Sequence, residues 1–317
     1  MRRKKLVFLA VATLAGLAGA APAAYAADPA SCQAIRLSDP GWTDITSTNS
    51  IASVLLKGLG YKPDVKTMSV PIGYQALKSG NLDVFLGNWM PAQQKFRDDL
   101  DKAKAAEVVV RNLEGAKFTL AVPDYVAKAG VKDFSDLSAH ADKFGKEIYG
   151  IEPGAPANQN IQKIIADKKF KLNGWKLVES SEQAMLAEVT RKDKAKQWVV
   201  FLAWAPHPMN TRLKIDYLSG GDAYFGPNYG GAEVYTLART GWQKQCPNAA
   251  TFFKNLVFSV DIENTLMDKI LNGGEDGPTA AKEWLKANPG QIDKWLAGVT
   301  TFKGEPGAAA VKASLGL

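Results

Sequence analysis

The sequence predicts two α/β lobes joined by two crossover segments, with a ligand cleft between them. Three observations carry that prediction. Strand-like and helix-like segments alternate along most of the chain, the pattern of an open, largely parallel sheet. The regularity breaks twice, near residues 112–117 and 203–210, where the chain can cross between lobes. The two cysteines, Cys32 and Cys246, lie far apart, so a bond between them would staple an early segment to a late one. The first and last thirds (27–113 and 207–317) then build lobe I, and the middle third (114–206) is inserted as lobe II. Two lobes linked in this way form a hinged clamp.

The 317 residues are 46% hydrophobic and 22% charged, which excludes a disordered chain, a collagen and a polytopic membrane protein. Arg2, Arg3, Lys4 and Lys5 precede an almost wholly apolar run over residues 6–20, and Ala24-Tyr25-Ala26 supplies a small-x-small cleavage pattern. Residues 1–26 therefore read as a secretory signal peptide cut after Ala26, because the run is too short to span a bilayer. The expected location is the periplasm. Removing that segment, with four basic and no acidic side chains, lowers the formal net charge from +7 to +3. So small an excess gives no reason to invoke nucleic acid. Both cysteines survive cleavage into an oxidising compartment, where one Cys32–Cys246 disulfide is expected; the alternative is two separate buried thiols.

The elements follow in order. Residues 34–38 read as a strand, and Asp44 as the N-cap of a helix with Ile51, Val54 and Leu55 on one face. Residues 65–70 are strand-like, 74–77 helical, and 82–86 a buried strand closed by Gly87. Two strands follow at 108–111 and 118–122, the second ended by Pro123, and another at 147–151. Asn158 is placed to cap a helix carrying Ile161, Ile164 and Ile165. Ser180 and Gln183 form a capping box before a helix with Met185, Leu186 and Val189. Residues 198–202 make a buried strand, broken by Ala205-Pro206-His207-Pro208. A glycine-rich loop over 219–231 leads to a strand at 233–238, and the chain is helical from Pro247 onward.

Catalytic chemistry is hard to find. His140 lies in a charged stretch and reads as solvated; His207 sits between two prolines and reads as a turn residue. No His/Cys/Asp cluster has metal spacing, and no nucleophile elbow, P-loop or dinucleotide fingerprint occurs. Neither a metal, a cofactor nor a catalytic residue is expected. What stands out is the placement of tryptophan. Trp42, Trp89 and Trp204 each fall just past a strand, flanked by Gly or Pro, and Phe118 begins the strand at the first crossover. Ligands of open α/β sheets bind at the carboxyl ends of strands. Aromatic faces gathered there make a cage for a cation that has no hydrogen-bond donors. Asp44, two residues from Trp42, can neutralise that cation or accept from a ligand hydroxyl. Trp175, Trp198, Trp242, Trp284 and Trp295 lie within periodic patterns and fit core packing.

The stretches Arg36-Leu-Ser-Asp-Pro-Gly-Trp-Thr-Asp-Ile-Thr46, Gly87-Asn-Trp-Met-Pro91, Gly115-Ala-Lys-Phe-Thr-Leu-Ala-Val122, Gly150-Ile-Glu-Pro-Gly154 and Phe225-Gly-Pro-Asn-Tyr-Gly-Gly231 resemble the choline/glycine-betaine group of periplasmic solute-binding proteins of ABC importers. The resemblance covers essentially the whole chain after the signal. It implies a type II periplasmic-binding-protein fold, an aromatic box of Trp42, Trp89, Phe118 and Trp204, engagement of the ligand by Asp44, and the Cys32–Cys246 disulfide. It also implies a membrane permease and ATPase as partners of a monomeric receptor. The family commonly has tyrosine where this chain has Phe118, and some relatives reach the ligand's polar end with an asparagine, for which Asn158 is the candidate here.

Choline and glycine betaine share a trimethylammonium head and differ in the tail, hydroxyl against carboxylate. Asp44 would accept from the first and repel the second, and no arginine adjoins the three tryptophans. Choline is therefore expected over betaine, carnitine or another quaternary amine. A secreted enzyme acting on choline-like esters or amines is the alternative of another class, and it lacks a visible nucleophile and base.

Overall fold

The computed structural model describes residues 28–317; the expected signal peptide and its cleavage point lie outside them. Nine strands form one sheet: β1 (Ala34–Asp39), β2 (Lys62–Thr67), β3 (Val84–Met90), β4 (Ala106–Pro123), β5 (Glu147–Tyr149), β6 (Lys176–Val178), β7 (Phe201–Ala205), β8 (Ile215–Tyr217) and β9 (Gly231–Arg239). The order is β2-β1-β3-β9-β4-β7-β5-β6, with β8 pairing β4. Both ends of the sheet are parallel, β2-β1-β3 and β7-β5-β6, and the centre is antiparallel. The reason is connectivity, since parallel neighbours need a crossover long enough to hold a helix. Helices α1 (Thr43–Gly58) and α2 (Val70–Lys78) supply it at one end. The helices Pro156–Ala166 and Glu182–Lys194 supply it at the other.

β4 joins the two ends. The strands expected at 108–111 and 118–122 are one 18-residue strand with register shifts between Val108 and Ala116. Its first part pairs with β9 up to Lys117, and its last part pairs with β7 and β8. The irregularities let one strand serve two partners and bend between the lobes. The second change of partner comes later than the expected 203–210. Ile215–Tyr217 still pairs with β4 at Ala121–Pro123, and Asn160 still donates to the Tyr224 carbonyl at 2.7 Å. The next strand, β9, pairs with β3 and with the first part of β4. Within 219–231, read as a loop, a short helix forms at Asp222–Phe225, and Pro227–Gly230 is a tight turn whose Asn228 and Tyr229 take positive φ, 56° and 61°.

In each half the strand order reverses once. In the first, the chain goes from β1 to β2 on one side and then to β3 on the other. In the second, it goes from β5 to β6 and then to β7. Each reversal leaves a crevice at the strand carboxyl ends, where the two helices diverge. The core is continuous through both halves, and a smaller apolar cluster lies under β3 and α2 around Tyr74, Phe85 and Leu100. Cys32 and Cys246 are bonded, with Cα atoms 5.7 Å apart. That bond joins the amino end of β1 to the start of the helix Pro247–Asn255. Among the described residues, no helix is long and apolar enough to cross a membrane.

Candidate functional site

Trp42, Asp44, Trp89, Phe118 and Trp204 line one cleft, with Gln93, Ile151, Pro156, Ala157 and Leu202 completing its walls around about 460 Å³ free of protein atoms. The two crevices face each other across it. Trp42 and Trp89 come from the β1/β3 crevice, and Ile151 and Trp204 from the β5/β7 crevice. Trp42 occupies the N-cap position of α1, three residues past β1. Trp89 and Trp204 lie within the last residues of β3 and β7 rather than just beyond them. Both strands run further than their apolar patterns, because cross-strand partners hold the extra residues extended; Trp89 pairs with Val234 and Trp204 with Phe118. Directly opposed residues present their side chains on one face, so the Phe118–Trp204 pairing alone builds one corner of the box. The Trp89 and Phe118 rings meet edge to face, centroids 6.2 Å apart at 86°. Phe225 backs Phe118 from behind at 5.4 Å.

Two of the three indole N–H groups are already engaged. Trp89 Nε1 donates to Asp44 Oδ2 at 3.0 Å, and Trp42 Nε1 donates to both carboxylate oxygens of Glu152 at 2.9 Å. These bonds tie the Trp42 and Trp89 rings to carboxyl groups beside the cleft. Asp44 is 2% exposed and is not the N-cap of α1; it is the second residue of that helix, and Trp42 at the cap makes no side-chain cap bond. Burial, with Glu182 nearby, pushes the Asp44 carboxyl up to about 8, against the opposing effect of the Ile45 and Trp89 N–H groups. Burial likewise lifts Glu152 to about 7, with the Trp42 N–H working against it and Glu182 adding to it. Asp39 and the fully buried Glu263 are raised too, each first by burial and then, for Glu263, by Asp44. Among the described residues, no lysine or arginine lines the cleft. The result is an apolar box backed by carboxyl groups that lack a cation, an arrangement suited to a small organic cation and hostile to an anion.

Asn158 is a correction. It is 1% exposed and does not line the cleft. Nor does it cap a helix, since it lies inside Pro156–Ala166. Its Oδ1 accepts from the Ile151 N–H at 3.0 Å, and its Nδ2 donates to the Ile151 and Glu152 carbonyls and to Glu179. Its amide is committed to the turn that carries Ile151 and Glu152 and to Glu179. The expected capping box of Ser180 and Gln183 does not form: Ser181 is the N-cap and accepts from the Ala184 N–H, and alanine at that third position cannot return the bond.

Sequence reasoning missed Glu152, Glu182 and His207. Glu152 stands within the Gly150–Gly154 stretch and was legible as part of that motif, though not as the partner of Trp42. Glu182 is the first residue of its helix and reaches the Thr43 N–H, 139 positions earlier, at 2.9 Å. His207, read as a turn residue, is 2% exposed and faces Glu182.

Two lobes threaded by one long strand, with facing crevices and a cleft of aromatic rings, define a two-lobed solute-binding protein. Residues 33–287 match the OpuAC family, described as the substrate binding domain of ABC-type glycine betaine transport systems, and the chain belongs to that family. It is a family of transport substrate-binding proteins and not of enzymes, and such proteins of ABC importers are periplasmic or extracellular. The chain is 51% identical to an ABC-transporter choline binding protein solved in complex with choline, with a TM-score of 0.89 over 91% of this chain and 100% of that one. The unliganded semi-closed form of an ABC-transporter choline binding protein matches at 51% identity and a TM-score of 0.84, over 90% and 100%. A glycine betaine/carnitine transport binding protein, GbuC of Listeria monocytogenes serotype 1/2a (strain 10403S), is 31% identical over 159 residues, 50% of this chain and 51% of that protein. The type II periplasmic-binding-protein fold expected from the sequence is the fold observed.

Proposed function

We propose that this chain is the choline receptor of an ABC importer. Trp42, Trp89, Phe118 and Trp204 surround the trimethylammonium group, and Asp44 balances its charge or accepts from its hydroxyl. The observation that carries this reading is the commitment of the Trp42 and Trp89 N–H groups to Glu152 and Asp44, in a cleft lined by no lysine or arginine. A betaine carboxylate would need several donors or a cation; the Trp42 and Trp89 N–H groups are already occupied, and among the described residues no lysine or arginine lines the cleft. The family's description and GbuC favour betaine or carnitine as a second reading; the 51%-identical choline complex favours choline. In this reading the precursor loses residues 1–26, and the mature monomer collects ligand in the periplasm and delivers it to a permease and its ATPase. The strand pairing favours lobes of residues 28–113 with 231–317, and of 114–230, with the return at β9 rather than at 207.

Titration calorimetry of the mature protein with choline and with glycine betaine tests the proposal. Choline should bind with a Kd on the order of micromolar and betaine much more weakly. Trp204→Ala should weaken choline roughly 10- to 30-fold, the equivalent of about 1.4–2 kcal/mol for one cage wall. Tight betaine binding with weak choline binding would overturn the assignment but keep the cage; binding of neither would remove the cage as well.

A further inference from the structure

We propose that Glu182, held by His207, is a positioning residue that clasps the two lobes and sets Trp42 against the bound cation. It rests on the reading of the cleft as a cation site. Glu182 is 1% exposed, and both of its oxygens have a donor to accept from. Oε2 accepts the Thr43 N–H at 2.9 Å, and Oε1 lies 3.1 Å from His207 Nε2. His207 Nδ1 accepts the Met209 N–H at 2.9 Å, which places the lone pair on Nδ1 and the proton on Nε2. The chain Met209 N–H, His207, Glu182, Thr43 N–H is therefore fully directed.

Its geometry ties closure to the cage. Thr43 begins α1, where the first N–H groups have no partner within the helix. Glu182 supplies the cap from across the cleft, and its negative charge meets the positive end of a 16-residue helix. Glu152 grips the preceding residue, Trp42, from the same side. Two carboxylates on one lobe thus hold two consecutive residues of the other. The His207 ring also stands edge-on to Trp204, centroids 4.9 Å apart at 78°, so the clasp touches two walls of the box. Opening the cleft returns Thr43 N–H and Glu182 to water, where each is satisfied. The clasp therefore acts on the closed state.

Two substitutions test this. Glu182→Gln keeps the shape but offers one acceptor and one N–H group to two donors. Thr43→Pro deletes the donor at the first helical position, where proline is well tolerated, after a Trp42 already in the extended conformation that proline requires. Each should raise the choline Kd about tenfold through faster dissociation, with association little changed, as read by stopped-flow tryptophan fluorescence. The factor should be the same for tetramethylammonium, which has no hydroxyl, because the clasp senses closure and not the ligand's tail. The double variant should be no worse than either single one. Unchanged dissociation, a factor that differs between the two ammonium ions, or additive losses would overturn the clasp. If the unaltered protein binds neither ion, the cation reading fails, and X-ray scattering of the unliganded proteins decides the clasp: a larger radius of gyration in Glu182→Gln supports it, an equal one refutes it.

Discussion

Asp44 serves two opposed ends. In the empty cleft it is a buried acid whose proton is retained up to about pH 8; opposite a fixed cation it must be ionised. The sign follows from linkage. Its folded pKa is raised, so between about pH 4 and 8 the folded chain holds a proton that the unfolded chain has lost, and the stability of the empty protein falls as pH rises through that window. Cation binding expels the proton. Choline affinity should therefore climb from pH 6 to 8, by at most about tenfold per pH unit for one proton, and level off above. Calorimetry in buffers of different ionisation enthalpy counts the proton directly, and a flat Kd over this range would exclude the linkage. Asp44→Asn should weaken choline at least about tenfold at pH 8 while raising the melting temperature of the empty protein, because a buried unpaired charge is removed. A fall in both would mean that the Trp89 N–H bond matters more than the charge.

Among the elements, the turn from Gly226 to Gly231 carries the tightest constraint. Gly230 has φ +75°, and a Cβ there would fall 1.8 Å from the Phe118 carbonyl oxygen. Only glycine lets the turn lie against β4 at the residue that forms a wall of the box. Gly230→Ala should cost roughly 1–3 kcal/mol of stability in denaturant unfolding and should weaken choline as well, since β4 must shift at Phe118. Intact binding would mean that the turn moves instead. The turn held by Asn158 works on the same principle. Gly150 leaves room for the Asn158 amide, whose bonds hold Glu152 where Trp42 can reach it. An asparagine in this family's motif reads as a ligand contact from sequence. Here burial and the nearest unpaired backbone groups assign it to the loop instead.

At the scale of the whole molecule, the disulfide and the cleft lie at opposite ends of β1. Cys32 precedes the strand and Trp42 follows it. Replacing both cysteines by alanine should lower stability by about 2–4 kcal/mol, because the bond closes a loop of 214 residues in the unfolded chain. The choline Kd should stay within about twofold. A large loss of affinity would show that the staple also sets the cleft. The core runs continuously through both halves, and β4 pairs irregularly with β9 before it takes β7 as its next partner.

The sequence by itself determined the alternating architecture, the staple between Cys32 and Cys246, and the five aromatic and acidic residues Trp42, Asp44, Trp89, Phe118 and Trp204 that line the cleft. Each is a local signal: an apolar run, a compartment that oxidises thiols, a large ring stranded beside Gly or Pro. Tertiary structure alone decided the rest. That Trp89 and Trp204 end strands rather than follow them depends on partners 145 and 86 residues away along the chain. That Asp44 takes the Trp89 N–H requires α1 and β3 to pack together, and that Glu182 caps the helix carrying Asp44 requires two lobes to meet. No pattern within one stretch of chain encodes a hydrogen bond across a cleft, because the burial that makes such a bond matter exists only once both sides are folded and closed.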